Sequence, residues 1–296
     1  MKAAVPALLL AYRRADLLAR VLQSIRANNI PRLYIFSDAP ADDTVAREVQ
    51  EVRQLIYKID WTETTIVERT VNRGVDDAFV RSISEVLEVH EEVIVLEDDL
   101  EFTPGTYEFL CAAMERYRDE PRVMCIGAWA STDVTPPGVT QPYFSRRANT
   151  WVFGIWRRAW KGFPEMNGIE LRDLCLARGI DPACCGSDVP AGATRNNGNG
   201  PYDYRFNLHM LLHDGLNLYP ARSMVSHIGY DERSSHYTAS SNKWRDTASP
   251  APAISDIDWP SVTEHPMSAE LWRRKMMSRS SLLQRVGRSI FSFARF

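Results

Sequence analysis

The chain has 296 residues, 45% of them apolar and 25% charged, with a formal net charge of −3. That balance excludes a chain-wide basic surface for nucleic acid, and the length suits one large α/β domain or two small ones. The five cysteines form no CxxC pair and no zinc-type spacing. Their odd number and the adjacent Cys184-Cys185 do not read as a secreted disulfide framework, so a reducing, cytoplasmic setting is expected.

Residues 7–12 are predicted to form a buried first strand. Their apolar run is too short for a membrane span, Pro6 interrupts it and Arg13-Arg14 follow, so a signal peptide is not expected. Apolar residues at helical spacing then predict a helix over residues 16–27, followed by a strand over 33–37. A helix over 43–59, a strand over 64–68, a helix over 75–89 and a strand over 92–96 continue the alternation. A helix near 105–117 and a strand over 123–128 follow. Residues 131–150 and the Gly/Asn-rich 184–202 read as loops, the second as a mobile one. A helix over 204–213 and a strand over 216–219 come next, and the Ser/Pro-rich residues 238–270 read as a connecting segment.

Strand–helix alternation with short connections predicts a mostly parallel sheet covered on both faces, with ligands beyond the carboxyl ends of its strands. Three polar groups fall at those ends: Arg13-Arg14, Ser37-Asp38 and Glu97-Asp98-Asp99. Consecutive acids after a buried strand offer hard oxygen ligands to Mg²⁺ or Mn²⁺, although an acidic cap on the following helix would use the same residues. Asp203 can be read likewise as a catalytic carboxylate or as a helix cap. His209 and His213 stand four apart without a third partner, so no zinc site is expected there.

The run 95–104, VLEDDLEFTP, resembles the metal-binding segment of N-acetylglucosaminyltransferase I and of bacterial family 2-like glycosyltransferases, members of the GT-A superfamily. Residues 6–25 resemble their first strand and helix, and Val71-Asn72-Arg73-Gly74 resembles their Arg-Asn-x-Gly segment. Residues 150–162, TWVFGIWRRAWKG, are similar to WGWATWRRAW, with Phe153 in place of one Trp. Residues 202–236 resemble a WDxxW…NIGF…TH block, with His227 at the Asn position.

The resemblance implies a GT-A (Rossmann-like) α/β fold with a mixed, mostly parallel sheet. The catalytic domain would span 1–237, with its nucleotide-sugar half at about 1–130 and its acceptor half at about 131–237. It implies an inverting, metal-dependent hexosyl- or N-acetylhexosaminyltransferase. The donor would be a nucleotide-sugar, with UDP preferred, and the acceptor a saccharide or lipid-linked saccharide. Asp99 becomes the direct ligand of Mn²⁺ or Mg²⁺, with Glu97 and His236 beside it and Asp98 near the ribose or metal. Arg14, Asp38 and Asn72 contact the nucleotide, Arg157 and Arg158 meet the donor phosphates, and Trp151 and Trp156 offer an acceptor platform. Asp203 is the general base, and His227 is assigned a structural role.

The tail, residues 271–296, has six Arg, one Lys and no acid. Its apolar residues recur at helical spacing, so it reads as a basic amphipathic helix suited to the anionic inner face of a membrane. Two other readings stay open. One is a sugar-nucleotide nucleotidyltransferase, which the Gly-free AYRRADLL argues against. The other is a GT-A-like sugar-binding domain without catalysis, which a buried or averted Asp203 would favour.

Overall fold

The computed structural model describes residues 4–230, 233, 250–251 and 256–277. Strands β1 (Ala7–Ala11), β2 (Arg32–Ser37), β3 (Glu63–Glu68) and β4 (Glu92–Glu97) alternate with helices α1 (Ala15–Ala27), α2 (Ala46–Ile56) and α3 (Val75–Val89). Next come β5 (Leu100–Phe102), α4 (Thr106–Arg116), β6 (Val123–Gly127), β7 (Tyr143–Ser145), β8 (Phe153–Trp156) and the short α5 (Arg157–Trp160). Helices α6 (Gly168–Ala177), α7 (Asp188–Ala193) and α8 (Tyr202–Leu212), strands β9 (Leu216–Tyr219) and β10 (Val225–His227), and helix α9 (Ser268–Met276) complete the order.

The main sheet runs β3-β2-β1-β4-β8-β6-β9-β7, and β10 pairs with β5 in a small second sheet. Strands β1 to β4 are mutually parallel where they touch, as are β6 and β9, while β8 and β7 run against their neighbours. The fold is therefore α/β with a mixed, mostly parallel sheet. Its central strands are apolar throughout because both faces are covered. In β4, Ile94 and Leu96 enter one core with α1, α2 and α4. Val93 and Val95 enter the other with α3, α6 and α8. The two-residue period of the strand divides one apolar run between two cores.

Three expectations are corrected. Residues 131–150 contain strand β7 as well as loop. Trp156, expected in the acceptor platform, ends β8 and is buried. Residues 184–202 hold α7 and a 3-10 turn at Asn196–Gly198, packed against α8. Composition misled here for a physical reason. Asn196 and Asn197 take φ of 49° and 55°, a region asparagine tolerates. Gly192 leaves room for the ring of Tyr204, which a Cβ would strike.

The first part of the basic tail lies in α9, where Trp272 is fully buried beside Tyr219 and Trp129 and the Arg147 guanidinium stands 4.5 Å over its ring. Residues 278–296, which carry most of the expected membrane-facing helix, lie outside the described residues. Among the described residues no helix is long and apolar enough to cross a membrane. Trp272→Ala is expected to cost about 3–5 kcal/mol of stability by opening this cluster. Urea unfolding checks it, and a midpoint like that of the parent chain would show α9 to be a loose appendage.

Candidate active site

The chain leaves β1 for β2 on one side and returns to β4 on the other, so a crevice opens beyond the carboxyl ends of β1 and β4. Residues 12–14 enter it from β1 and residues 97–99 from β4. The Tyr12 N–H donates to Asp98 Oδ2 at 2.9 Å. The Arg14 guanidinium pairs through Nη2 with Asp99 Oδ2, lies 3.7 Å from Asp98 Oδ1, and donates from Nη1 to the Gly229 carbonyl at 3.2 Å.

Pairing of β10 with β5 sets His227 opposite Leu100 and carries residues 227–229 over the acids. The Ile228 N–H donates to the Asp99 carbonyl at 2.9 Å, and the Gly229 N–H to His227 Nδ1 at 3.1 Å. A neutral His227 ring therefore carries its proton on Nε2, 3.7 Å from Asp99 Oδ2. A Cβ at position 229 would collide with Asp99 and lie 2.7 Å from Arg14 Nη1, so the close approach requires glycine.

Two acids face this crowding with one guanidinium. Burial first, then the charge of Asp99, raises the Asp98 carboxyl to about 6 against the pull of Arg14. Burial also drives Glu97 well above the usual carboxylate range, with Asp99, Asp98 and Asp203 adding to the shift. Asp203 sits in the first turn of α8, partly exposed, and its charge bears on Glu97. Burial raises it to about 6, opposed by the Tyr204 N–H and by Arg147. Arg147 is buried, grips Asp188 through two hydrogen bonds of 2.9 and 2.7 Å, and donates to the Cys185 carbonyl at 3.0 Å.

Arg14, Glu97, Asp98, Asp99 and Asp203 are thus grouped by the fold. Trp151 belongs to the same end, its ring 5.0 Å from that of His227, which stacks on Tyr230 at 3.9 Å. Asp38 follows β2, two strands from β4 and so about 10 Å away by strand spacing. Burial raises its carboxyl, which accepts the Ala39 N–H at 2.9 Å. Asn72 donates to the Ala39 carbonyl at 2.7 Å and accepts the Gly74 N–H at 2.9 Å, so it shapes the loop that carries Asp38.

Arg157, Arg158 and Trp156 lie elsewhere. Trp156 pairs with Glu92, at the far end of β4 from the acids, and is buried. Arg157 donates to the Leu87 and Glu88 carbonyls and pairs with Glu91 at 2.6 Å. Arg158 spans the carbonyls of Tyr117, Arg118 and Pro121. These three are corrected to structural roles, because β8 runs antiparallel to β4 and carries them away from the crevice. His236 lies outside the described residues. His209 is buried, its Nε2–H donating to the Ala159 carbonyl at 3.2 Å, and burial lowers its pKa to about 4.

The donor set fits a divalent cation in its chemistry. Asp98 and Asp99 offer hard oxygen ligands at the end of β4, with Glu97 beside them. Among the described residues, no three His, Cys, Asp or Glu groups converge in a coordination geometry. Asp99 is instead held by Arg14.

The residues that sequence reasoning left out are His227 as a neighbour of Asp99, Gly229, Tyr12 and Arg147. The His-Ile-Gly run carried the signal for the first two. Nothing local marks Arg147, whose role depends on α7 folding back onto it.

No family model matches the chain, nor does any curated protein. Among solved structures it is similar to a mannosyltransferase from Pyrobaculum calidifontis in complex with GDP-Man and Mn²⁺. That match has a TM-score of 0.35 and 15% identity, over 68% of this chain and 54% of that one. It is also similar to residues 1–349 of TarS from S. aureus, at a TM-score of 0.44 and 11% identity over 75% and 60%. The chain spans less than two thirds of the length of either.

An acid whose folded pKa is raised destabilises the fold fully above that pKa, and the deficit shrinks as pH falls below it and is gone below the unfolded value of 3.8. Asp203→Asn should therefore raise the urea midpoint at pH 7.5, and the gain should shrink towards pH 5 as the parent's Asp203, near 6, takes up its proton. A gain independent of pH would rule out the raised carboxyl.

Proposed function

We propose that the chain is an inverting glycosyltransferase of the GT-A type, moving a sugar from a nucleotide-sugar, preferably UDP-linked, to a saccharide or lipid-linked saccharide. The observation that carries this reading is one crevice holding two kinds of acid. Asp98 and Asp99 are bound to Arg14, while Asp203 is held separately at the start of α8. A nucleotide-sugar needs positive charge at its diphosphate and a carboxylate at the acceptor hydroxyl, and the two acid groups meet those needs.

Asp98 and Asp99 would hold Mn²⁺ or Mg²⁺, which when bound offsets the charge of the leaving diphosphate. Arg14 orients Asp99 and presents its guanidinium to the same anion. Asp38 accepts an N–H of the nucleobase, at a separation that suits a nucleoside lying across the ends of β2, β1 and β4. Asp203 takes the proton from the attacking hydroxyl as it reaches the anomeric carbon. A base near 6 is ionised at neutral pH yet still basic enough to accept that proton. Trp151 lies beside His227 and Tyr230 and gives the acceptor an aromatic face.

Asp203→Asn is expected to keep donor affinity and lose transfer by roughly 10²–10⁴-fold. In the parent chain, transfer should rise with pH through a limb near 6, since only the ionised Asp203 can act as base. A profile flat across that limb, or near-parental turnover of Asp203→Asn, would exclude it. A thermal-shift screen of nucleotide-sugars with and without Mn²⁺ checks the donor side. Asp99→Ala should abolish the Mn²⁺-dependent shift, and an undiminished shift would remove Asp99 as a ligand.

A further inference from the structure

Behind Asp203, the turn that precedes α7 carries two adjacent thiols. Gly186 N–H donates to the Ala183 carbonyl at 2.9 Å, so Cys184 and Cys185 are the two central residues of the turn. Their Sγ atoms are 3.6 Å apart and both are free. Cys184 is partly exposed and Cys185 is buried. Arg146 and Glu264 lie close enough to bear on both the exposed thiol and its surroundings. The Cys185 carbonyl accepts Arg147 Nη1 at 3.0 Å, and Arg147 in turn grips Asp188.

We propose that Cys184 and Cys185 form a vicinal dithiol that low-molecular-weight disulfides oxidise reversibly, and that closing the ring loosens the Arg147–Asp188 pair behind the acceptor side. Two thiols lose two protons and two electrons, and the oxidant disulfide is reduced to two thiols. The Cys184 thiolate, favoured by the hydrogen bond from Cys185, attacks the oxidant and forms a mixed disulfide. Cys185 then displaces the second small thiol and the ring closes.

Ring closure has a geometric consequence. Adjacent Cα atoms stand about 3.8 Å apart, below the usual disulfide span, so the bond is strained and readily reduced. The Sγ atoms must also close to about 2.05 Å, which turns the peptide between them. The next peptide, between Cys185 and Gly186, shares the Cys185 Cα with it and carries the carbonyl bound to Arg147. Gly186 follows at φ 128° and packs against Arg147, so closely that a Cβ there would lie 2.8 Å from Arg147 Nη1.

The effect on transfer rests on the reading of Asp203 as base; the thiol chemistry does not. The test treats the full chain with oxidised glutathione, then measures peptide mass, hydrogen exchange in α7 and transfer. The proposal expects a peptide lighter by two hydrogens, faster exchange in Asp188–Ala193 and a roughly tenfold loss of transfer, all reversed by dithiothreitol. Cys184→Ser should retain parental transfer and resist all three changes. A lasting glutathione adduct without ring closure would overturn the dithiol site. Ring closure with unchanged exchange in α7 would overturn the link to Arg147. A reduced chain with no transfer at all would count against the proposed function and leave both of those readings decisive.

Discussion

Arg14 is the interaction around which the rest of the molecule is arranged. Three consecutive acids at the end of an apolar strand would repel one another and the fold, were no cation beside them. Arg14 comes from the neighbouring strand, and its hydrogen bond to the Gly229 carbonyl draws in a third segment from more than 200 positions along the chain. The β5–β10 pairing, the glycine at 229 and the His227 ring all serve that approach. Even so, burial and the neighbouring acids keep the Asp98 and Glu97 carboxyls raised.

The two halves of the crevice are built differently. The end that holds Arg14 belongs to parallel strands whose register is set by continuous apolar runs, so Tyr12–Arg14 and Glu97–Asp99 arrive at one level by geometry alone. The end that holds Asp203 belongs to helices α6, α7 and α8, which pack on one another. There the positions depend on a buried polar assembly of Arg147, Asp188 and Asn207, the last bridging Ala148 to the Asp203 carbonyl at 2.8 Å.

Legibility in the sequence follows the same division. Helix α3 and strand β9 were readable to the residue, and β1, β2, β3, β4 and β6 to within one or two, because each combines a clear period with sharp ends. Strand β8 was not readable. FGIW runs into RRAW, and only the antiparallel pairing with β4 tells the strand from the helix. That pairing also reversed the meaning of Arg157 and Arg158, whose charges look like phosphate ligands until their carbonyl partners are known. The Gly/Asn-rich stretch misled in the opposite sense, since small residues there permit tight packing. Glu97, Asp98 and Asp99 could be placed at a strand end from sequence; their pairing with Arg14 and their nearness to Asp203 depend on tertiary contacts.

The burial of Trp272 against Arg147 bears on the order in which this chain can fold during synthesis. Strands β1 to β4 and their helices contact neighbours close in sequence and can assemble as soon as they emerge. Arg147 cannot reach its final surroundings until α9, more than 120 residues later, has left the ribosome. Until then its guanidinium lacks the Trp272 ring that covers one face in the finished fold. The nascent chain thus passes through a stage in which strands β1 to β4 have formed and the surroundings of Arg147 have not. The surroundings of Arg147 are therefore completed only after the sheet, when α9 docks.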